Sequence, residues 1–246
     1  MPFSQLYVRG LRLNQPLDQE DYLGRLPVLR YLQSSGGLHF NRPVTFLAGD
    51  NGMGKSTLLE ALAVALGFNP EGGSVNFNFS TRDSHSALGR YLTVVRGTRR
   101  ERDGFFLRTE SLYNLASNID DLGEGLEYSY GGRSLHSRSH GEGLLSLVAN
   151  RFGGHGLYLL DEPEAGLSPA NQLSLLCLLH QLEAEDSQFI IATHSPILLA
   201  WPGAEIFLLS SQGVESVDFR DTQHYQLTRR FLNDPEGMLK LLFNPD

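Results

Sequence analysis

The tightest constraint on this chain is residues 44–57, Val-Thr-Phe-Leu-Ala-Gly-Asp-Asn-Gly-Met-Gly-Lys-Ser-Thr. An apolar strand runs into Gly49-x-x-x-x-Gly54-Lys55-Ser56, and a helix-forming run follows. This strand–loop–helix order is the context a phosphate-binding loop requires. Glycines let backbone N–H groups curl around phosphate oxygens with no side chain in the way. The helix that starts in the loop adds its free N–H groups and the positive end of its dipole. Lys55 supplies a point charge near the outer phosphates, and the Ser56 hydroxyl can ligate Mg²⁺. Asn51, Gly52, Met53, Gly54, Lys55, Ser56 and Thr57 are therefore the candidate nucleotide-binding residues. A glycine-rich turn carrying a solvated lysine is the plainer alternative.

Buried strands alternate with helices along the rest of the chain, which predicts an α/β fold with a largely parallel sheet. Val44–Ala48, Leu157–Leu160 and Gln188–Ala192 are short, nearly all-apolar strands of the kind covered on both faces. Ser56–Leu66 reads as a buried helix closed by Gly67 and Asn69-Pro70, and Leu173–Leu182 as another. Leu6–Leu13 reads as an early strand. Residues 14–43 are interrupted by Pro16, Pro27, Gly36 and Gly37. Tyr91–Val95 and Gly104–Arg108 read as a strand pair. Arg96, Arg99, Arg100 and Arg102 lie at its tip, as a solvated turn or a phosphate-contacting loop. Ile206–Leu209 and Val214–Phe219 form an expected hairpin around Gln212-Gly213, and Thr222 an expected cap for the last helix. One domain over 1–246 accounts for this order. Its core is about 40–70 and 155–220, an inserted segment with a helical part spans 71–154, and a C-terminal helix spans about 221–243.

Bulk properties narrow the setting. The 246 residues carry a formal charge of −8, which argues against non-specific nucleic-acid binding by the chain alone. No run approaches eighteen apolar residues, and Met-Pro-Phe-Ser-Gln is unlike a signal peptide. A cytoplasmic protein without direct membrane insertion is expected. Cys177 is the sole cysteine, excluding a disulfide within one chain, and its leucine-rich surroundings suggest buried core.

Three further motifs bear on chemistry. Leu157-Tyr-Leu-Leu-Asp161-Glu162-Pro163 ends an apolar strand in two carboxylates. Asp161 is placed to hold Mg²⁺ and Glu162 to polarise an attacking water; a capping turn is the alternative. Ile190-Ile-Ala-Thr-His194 puts a histidine just past a buried strand, where open α/β sheets place ligands. It could bond a γ-phosphate oxygen or be purely structural. Ser139-His-Gly141-Glu142-Gly143 opens a helix.

In this order the four motifs resemble the ATP-binding-cassette (ABC) ATPases over about 44–200. Ser139-His-Gly-Glu-Gly is similar to that family's signature. The spacings fit, with 22 positions from Ser139 to Asp161 and 33 from Asp161 to His194. Ala165-Gly-Leu-Ser168 resembles the dimer-contact loop, with Ser168 where an aspartate is usual. Phe40–Ala63, Gly104–Ser111 and Gln223-His-Tyr-Gln-Leu-Thr-Arg-Arg-Phe-Leu resemble soluble heads of the SMC and RecF types and small stand-alone bacterial ATPases.

The resemblance implies ATP and Mg²⁺ as ligands. It implies Lys55, Glu162 and His194 as catalytic groups, Ser56 and Asp161 as metal ligands, and Ser139, Gly141 and Glu142 as contacts made in trans within an ATP-bound homodimer. It further suggests service to DNA or a protein complex; the alternative is the ATP-binding subunit of a transporter with a separate permease. No glutamine occurs between Lys55 and Ser139, so the family's glutamine loop is missing, and Glu110 is the candidate stand-in near Mg²⁺. Tyr22, Tyr31 and Phe40 are the adenine-stacking candidates, each of which also reads as packing. The 81 residues at 58–138 lack heptads, which excludes a coiled-coil arm there.

Overall fold

The computed structural model describes residues 6–18, 20, 22–74, 87–111 and 140–244. Val44–Gly49 (β3) is buried at every position, as expected of a strand covered on both faces. It is central to a sheet ordered β5-β6-β7-β3-β8-β9. The other members are Asp103–Arg108 (β5), Gly156–Asp161 (β6), Gln188–Ala192 (β7), Glu205–Ser210 (β8) and Gly213–Val217 (β9). β5, β6, β7, β3 and β8 run parallel, and β9 returns antiparallel to β8 as the expected hairpin. Val8–Leu13 (β1), Leu38–His39 (β2) and Leu92–Arg96 (β4) make a smaller antiparallel sheet, ordered β2-β1-β4. The α/β class with a largely parallel sheet is thus as expected.

Strand alternation divides the core. Leu47, Leu157, Leu159 and Phe106 face one side, packed with the helix Lys55–Leu66 (α3), the helix Pro27–Ser35 (α2) and the small sheet. Phe46, Phe105, Tyr158 and Leu160 face the other, against the helices His140–Arg151 (α4) and Pro169–Ala184 (α5). α3 ends as predicted, at Gly67 in the left-handed region (φ 93°). The proline and glycine read as interruptions in 14–43 instead bound a helix: Pro27 is in the first turn of α2, and Gly36 closes it at φ 80°. A short helix, Tyr22–Arg25 (α1), precedes it.

Three expectations fail. β4 and β5 are not partners: β4 pairs with β1, opposing Val94 to Leu11, and β5 pairs with β6. Alternation marks a strand but not its neighbour, which is settled by long-range packing. The connection between them crosses from one sheet to the other, and two of its four arginines are paired, Arg96 with Glu101 at 2.8 Å and Arg99 with Asp186 at 3.5 Å. Cys177 is exposed. α5 is apolar nearly all round, so periodicity could not single out its core face, which carries Leu175 and Leu179. The C-terminal helix is two helices, Gln223–Asn233 (α7) and Pro235–Phe243 (α8), after the short helix Pro196–Leu199 (α6). Pro235 cannot continue α7, and Asp234 caps α8 by accepting from the Gly237 N–H at 2.9 Å.

Candidate functional site

Parallel strands bring their C-terminal ends to one edge, and here the register aligns them. Arg108 of β5 opposes Asp161 of β6, which opposes Ala192 of β7, which opposes Leu47 of β3. The residues just beyond this row, Asp50 to Thr57, Glu110, Glu162 and His194, converge around one edge.

The loop turns on glycine. Gly49 has φ 136°, and a Cβ there would run into the Leu209 carbonyl oxygen; Gly54 has φ 93° and caps α3. Lys55 is only 4% exposed. Its Nζ donates to the carbonyls of Gly49 at 2.7 Å and Asp50 at 3.0 Å, folding back over the loop. Burial lowers its pKa, against the opposing pull of the Glu162 and Asp161 carboxylates. A cavity of about 380 Å³ opens beside it, lined by Asn51, Gly52, Ser56, Thr57, Glu110 and Glu162 among others. Tyr22 is also on its wall, whereas Phe40 belongs to the core and Tyr31 packs against it.

Asp161 ends β6 and is 7% exposed. Burial raises its pKa to about 6, opposed by a hydrogen bond from Ser56 and the charge of Arg108. Its Oδ1 is buried without a hydrogen-bond partner. Glu162 sits at φ 50°, a conformation unusual for a side chain with a Cβ, and its N–H donates to the Ala192 carbonyl at 2.9 Å. Its Oε1 lies 3.5 Å from His194 Nε2. Glu110 reaches the same cavity from the short 3₁₀ turn after β5, with its side chain 88% exposed and 3.8 Å from Arg108.

Gly141 is elsewhere. It is buried against Leu167, Asn171 and the Gly166 carbonyl of its own chain, at the start of α4. Glu142 is exposed in the first turn of that helix. Ser139 lies outside the described residues. Ser168 caps α5 through its hydroxyl, which accepts from the Asn171 N–H at 3.2 Å.

Several site residues escaped sequence reasoning. Glu164 Oε1 accepts from the Thr193 hydroxyl (2.7 Å), the His194 N–H (2.6 Å) and the Ser195 N–H (3.1 Å), pinning the histidine loop. Arg108 pairs with Glu60 at 2.9 Å, tying β5 to α3. The lone carboxylate on an apolar helix was the available signal for Glu60. His224 Nε2 lies 3.3 Å from His194 Nδ1.

A glycine-rich loop closing a parallel strand, with a buried carboxylate at the same end of a strand one removed in the sheet, defines a P-loop nucleoside triphosphatase. Comparison with known proteins narrows the class. Residues 30–127 match a family model described as an AAA domain. Residues 133–200 match a second model, described as "AAA domain, putative AbiEii toxin, Type IV TA system". An uncharacterized ABC transporter ATP-binding protein of Haemophilus influenzae is 30% identical over 185 residues, covering 68% of this chain and 69% of that one. The cobalt import ATP-binding protein CbiO of Salmonella typhimurium is 28% identical over 189 residues, covering 68% and 66%. Among solved structures, cbiO1 from Clostridium perfringens, part of the ABC transporter complex cbiONQ, matches with 16% identity and a TM-score of 0.49, covering 94% of this chain and 96% of that one. The chain belongs to the ATP-binding-cassette family and is an ATP-hydrolysing P-loop enzyme. No described helix is long and apolar enough to cross a membrane.

Proposed function

We propose that this chain is a single Mg²⁺-dependent ATPase domain that closes head to tail with a second copy when ATP binds, and that it serves DNA or a protein complex rather than a permease. The observation that carries the metal-dependent reading is Asp161. Its buried, unpartnered Oδ1 is the kind of orphan a cation satisfies, and the Ser56 hydroxyl is beside it. No cluster of three or more His, Cys, Asp or Glu that could hold a metal occurs among the described residues. Mg²⁺ is bound through one or two protein ligands plus substrate phosphates. Ser56 and Asp161 would hold it, with Glu110 close by in place of the missing glutamine. When bound, it would neutralise charge on the phosphate oxygens.

The chain's own residues supply the rest. Backbone N–H groups of Asn51 to Thr57 cradle the phosphates, and Tyr22 offers its ring to the adenine. Lys55 exchanges the Gly49 and Asp50 carbonyls for phosphate oxygens. Glu162 orients a water and accepts its proton as the oxygen attacks the γ-phosphorus and the bond to ADP breaks. His194 holds the γ-phosphate side. Ser139, Gly141 and Glu142 of a second copy complete the site, and one two-fold operation closes both sites at once. Gly141, packed away from the Lys55 cavity, leaves that role to a partner.

The test is sedimentation of the Glu162→Gln protein. It should be monomeric without nucleotide and dimeric with ATP and Mg²⁺, and adding Ser139→Arg should abolish the shift while leaving ATP binding intact. Dimerisation by the Ser139→Arg protein would remove the trans assignment. A second reading, a transporter's ATP-binding subunit, is favoured by the names of the relatives. Capture of a membrane permease by ATP-loaded Glu162→Gln would establish it; capture of DNA or a non-membrane complex would exclude it.

A further inference from the structure

His194 is held from three directions. Glu164 fixes its backbone, and Glu162 faces its Nε2. The third contact comes from the far end of the chain. His224, in the first turn of α7, brings Nε2 to 3.3 Å from His194 Nδ1, with ring centroids 5.5 Å apart. Its own position is well defined. Thr222, fully buried, caps α7 by accepting from the Tyr225 N–H at 3.3 Å, and Tyr225 packs on Phe219 at 4.6 Å between centroids.

Two nitrogens at 3.3 Å share one proton, and the surroundings select its owner. If His194 Nδ1 donated, a neutral His194 would turn the Nε2 lone pair toward the Glu162 carboxylate, acceptor against acceptor. If His224 Nε2 donates, His194 keeps its proton on Nε2, facing Glu162. His194 Nε2 and His224 Nδ1 are both buried without a hydrogen-bond partner; the Glu162 carboxylate 3.5 Å from His194 Nε2 favours a proton on that atom, which leaves His194 Nδ1 to accept from His224 Nε2. Burial, reinforced by His194, lowers the His224 pKa, which favours its neutral form.

We propose that His224 is a positioning residue for His194: by donating from Nε2 to His194 Nδ1, it holds His194 as the Nε2–H tautomer, an N–H donor aimed at the γ-phosphate side. This rests on the proposed role of His194. It also gives the Gln223–Leu232 motif a task that the phosphate-site motifs leave unassigned.

Long-range ¹H–¹⁵N NMR on histidine-labelled full-length protein reads the tautomer, and steady-state ATPase assays read its consequence. Wild-type His194 should be the Nε2–H tautomer. His224→Ala should mix the two tautomers and lower kcat by about ten- to a hundredfold with little change in KM for ATP. His224→Gln, whose amide N–H can donate to the same nitrogen, should restore the tautomer and most of kcat. An unchanged tautomer in His224→Ala, or a folded His224→Gln as impaired as the alanine variant, overturns the inference. His194→Ala separates this failure from that of the site itself. Wild-type turnover in His194→Ala sinks the role of His194, whereas loss there with wild-type turnover in His224→Ala sinks only the positioning role.

Discussion

β3 and the C-terminal helices are both rich in apolar residues, yet every residue of β3 is buried and none of α7 or α8 is. Leu227, Phe231, Leu232, Leu241, Leu242 and Phe243 are all exposed. The contrast separates two uses of apolar sequence. In the sheet, side chains on both faces meet helices and remove surface from water, and that burial stabilises the fold. In α7 and α8, apolar residues lie on helices whose cores contribute little. α7 is anchored mainly through its first turn, at buried Thr222 and the His224 contact. Stability is concentrated in the sheet, and the candidate site lies along its edge.

Substitutions across the two regions test this division. Phe46→Ala empties a fully buried site in β3 and should cost about 3–5 kcal/mol, read from denaturant unfolding. A cost near that of a surface change would show that the sheet does not hold the fold. Glu162→Gln acts at the edge of the same sheet and should lower turnover by roughly 10²–10³-fold while ATP binding persists. Turnover at the wild-type rate would mean that another group orients the water. Lys55→Ala should instead weaken ATP binding itself, measured by equilibrium titration.

Asp161 is where the sheet gives up stability for the site. Its pKa is raised to about 6 in the fold, chiefly by burial, from 3.8. Between these values the unfolded chain has lost the proton and the folded one keeps it. The contribution is therefore present below about pH 4 and is lost as pH rises through about 6, on the order of 3 kcal/mol. Asp161→Asn should make the nucleotide-free protein more stable than wild type at pH 7.5, with little difference at pH 4, while abolishing Mg²⁺-dependent turnover. Equal melting temperatures at pH 7.5 would show that the carboxylate carries no such cost. At the small end, Leu232→Ala and Leu242→Ala should change stability by less than about 0.5 kcal/mol. A cost of several kcal/mol would mean that the C-terminal pair is part of the core after all.

What sequence alone could determine was local. β3, the loop and α3 occupy consecutive residues, so the glycines, Lys55 and Ser56 announce their geometry without reference to anything distant. β6 and β7 were legible for the same reason: a strand buried on both faces is apolar throughout, and its end is marked by the polar residues that follow. The strand partner of β4, the core face of α5 and the break in the C-terminal helix depended more on context, although Pro235 was a visible signal for the last. The contacts of Glu164, Arg108 and His224 were decided by tertiary structure alone. Each joins residues 29 or more positions apart, and no spacing rule reaches that far. For Glu164 and Arg108 parallel register is the physical reason, because it sets the ends of β5, β6, β7 and β3 in one row and leaves whatever follows each strand to converge there, whereas His224 is brought in by the helix that follows the antiparallel β9.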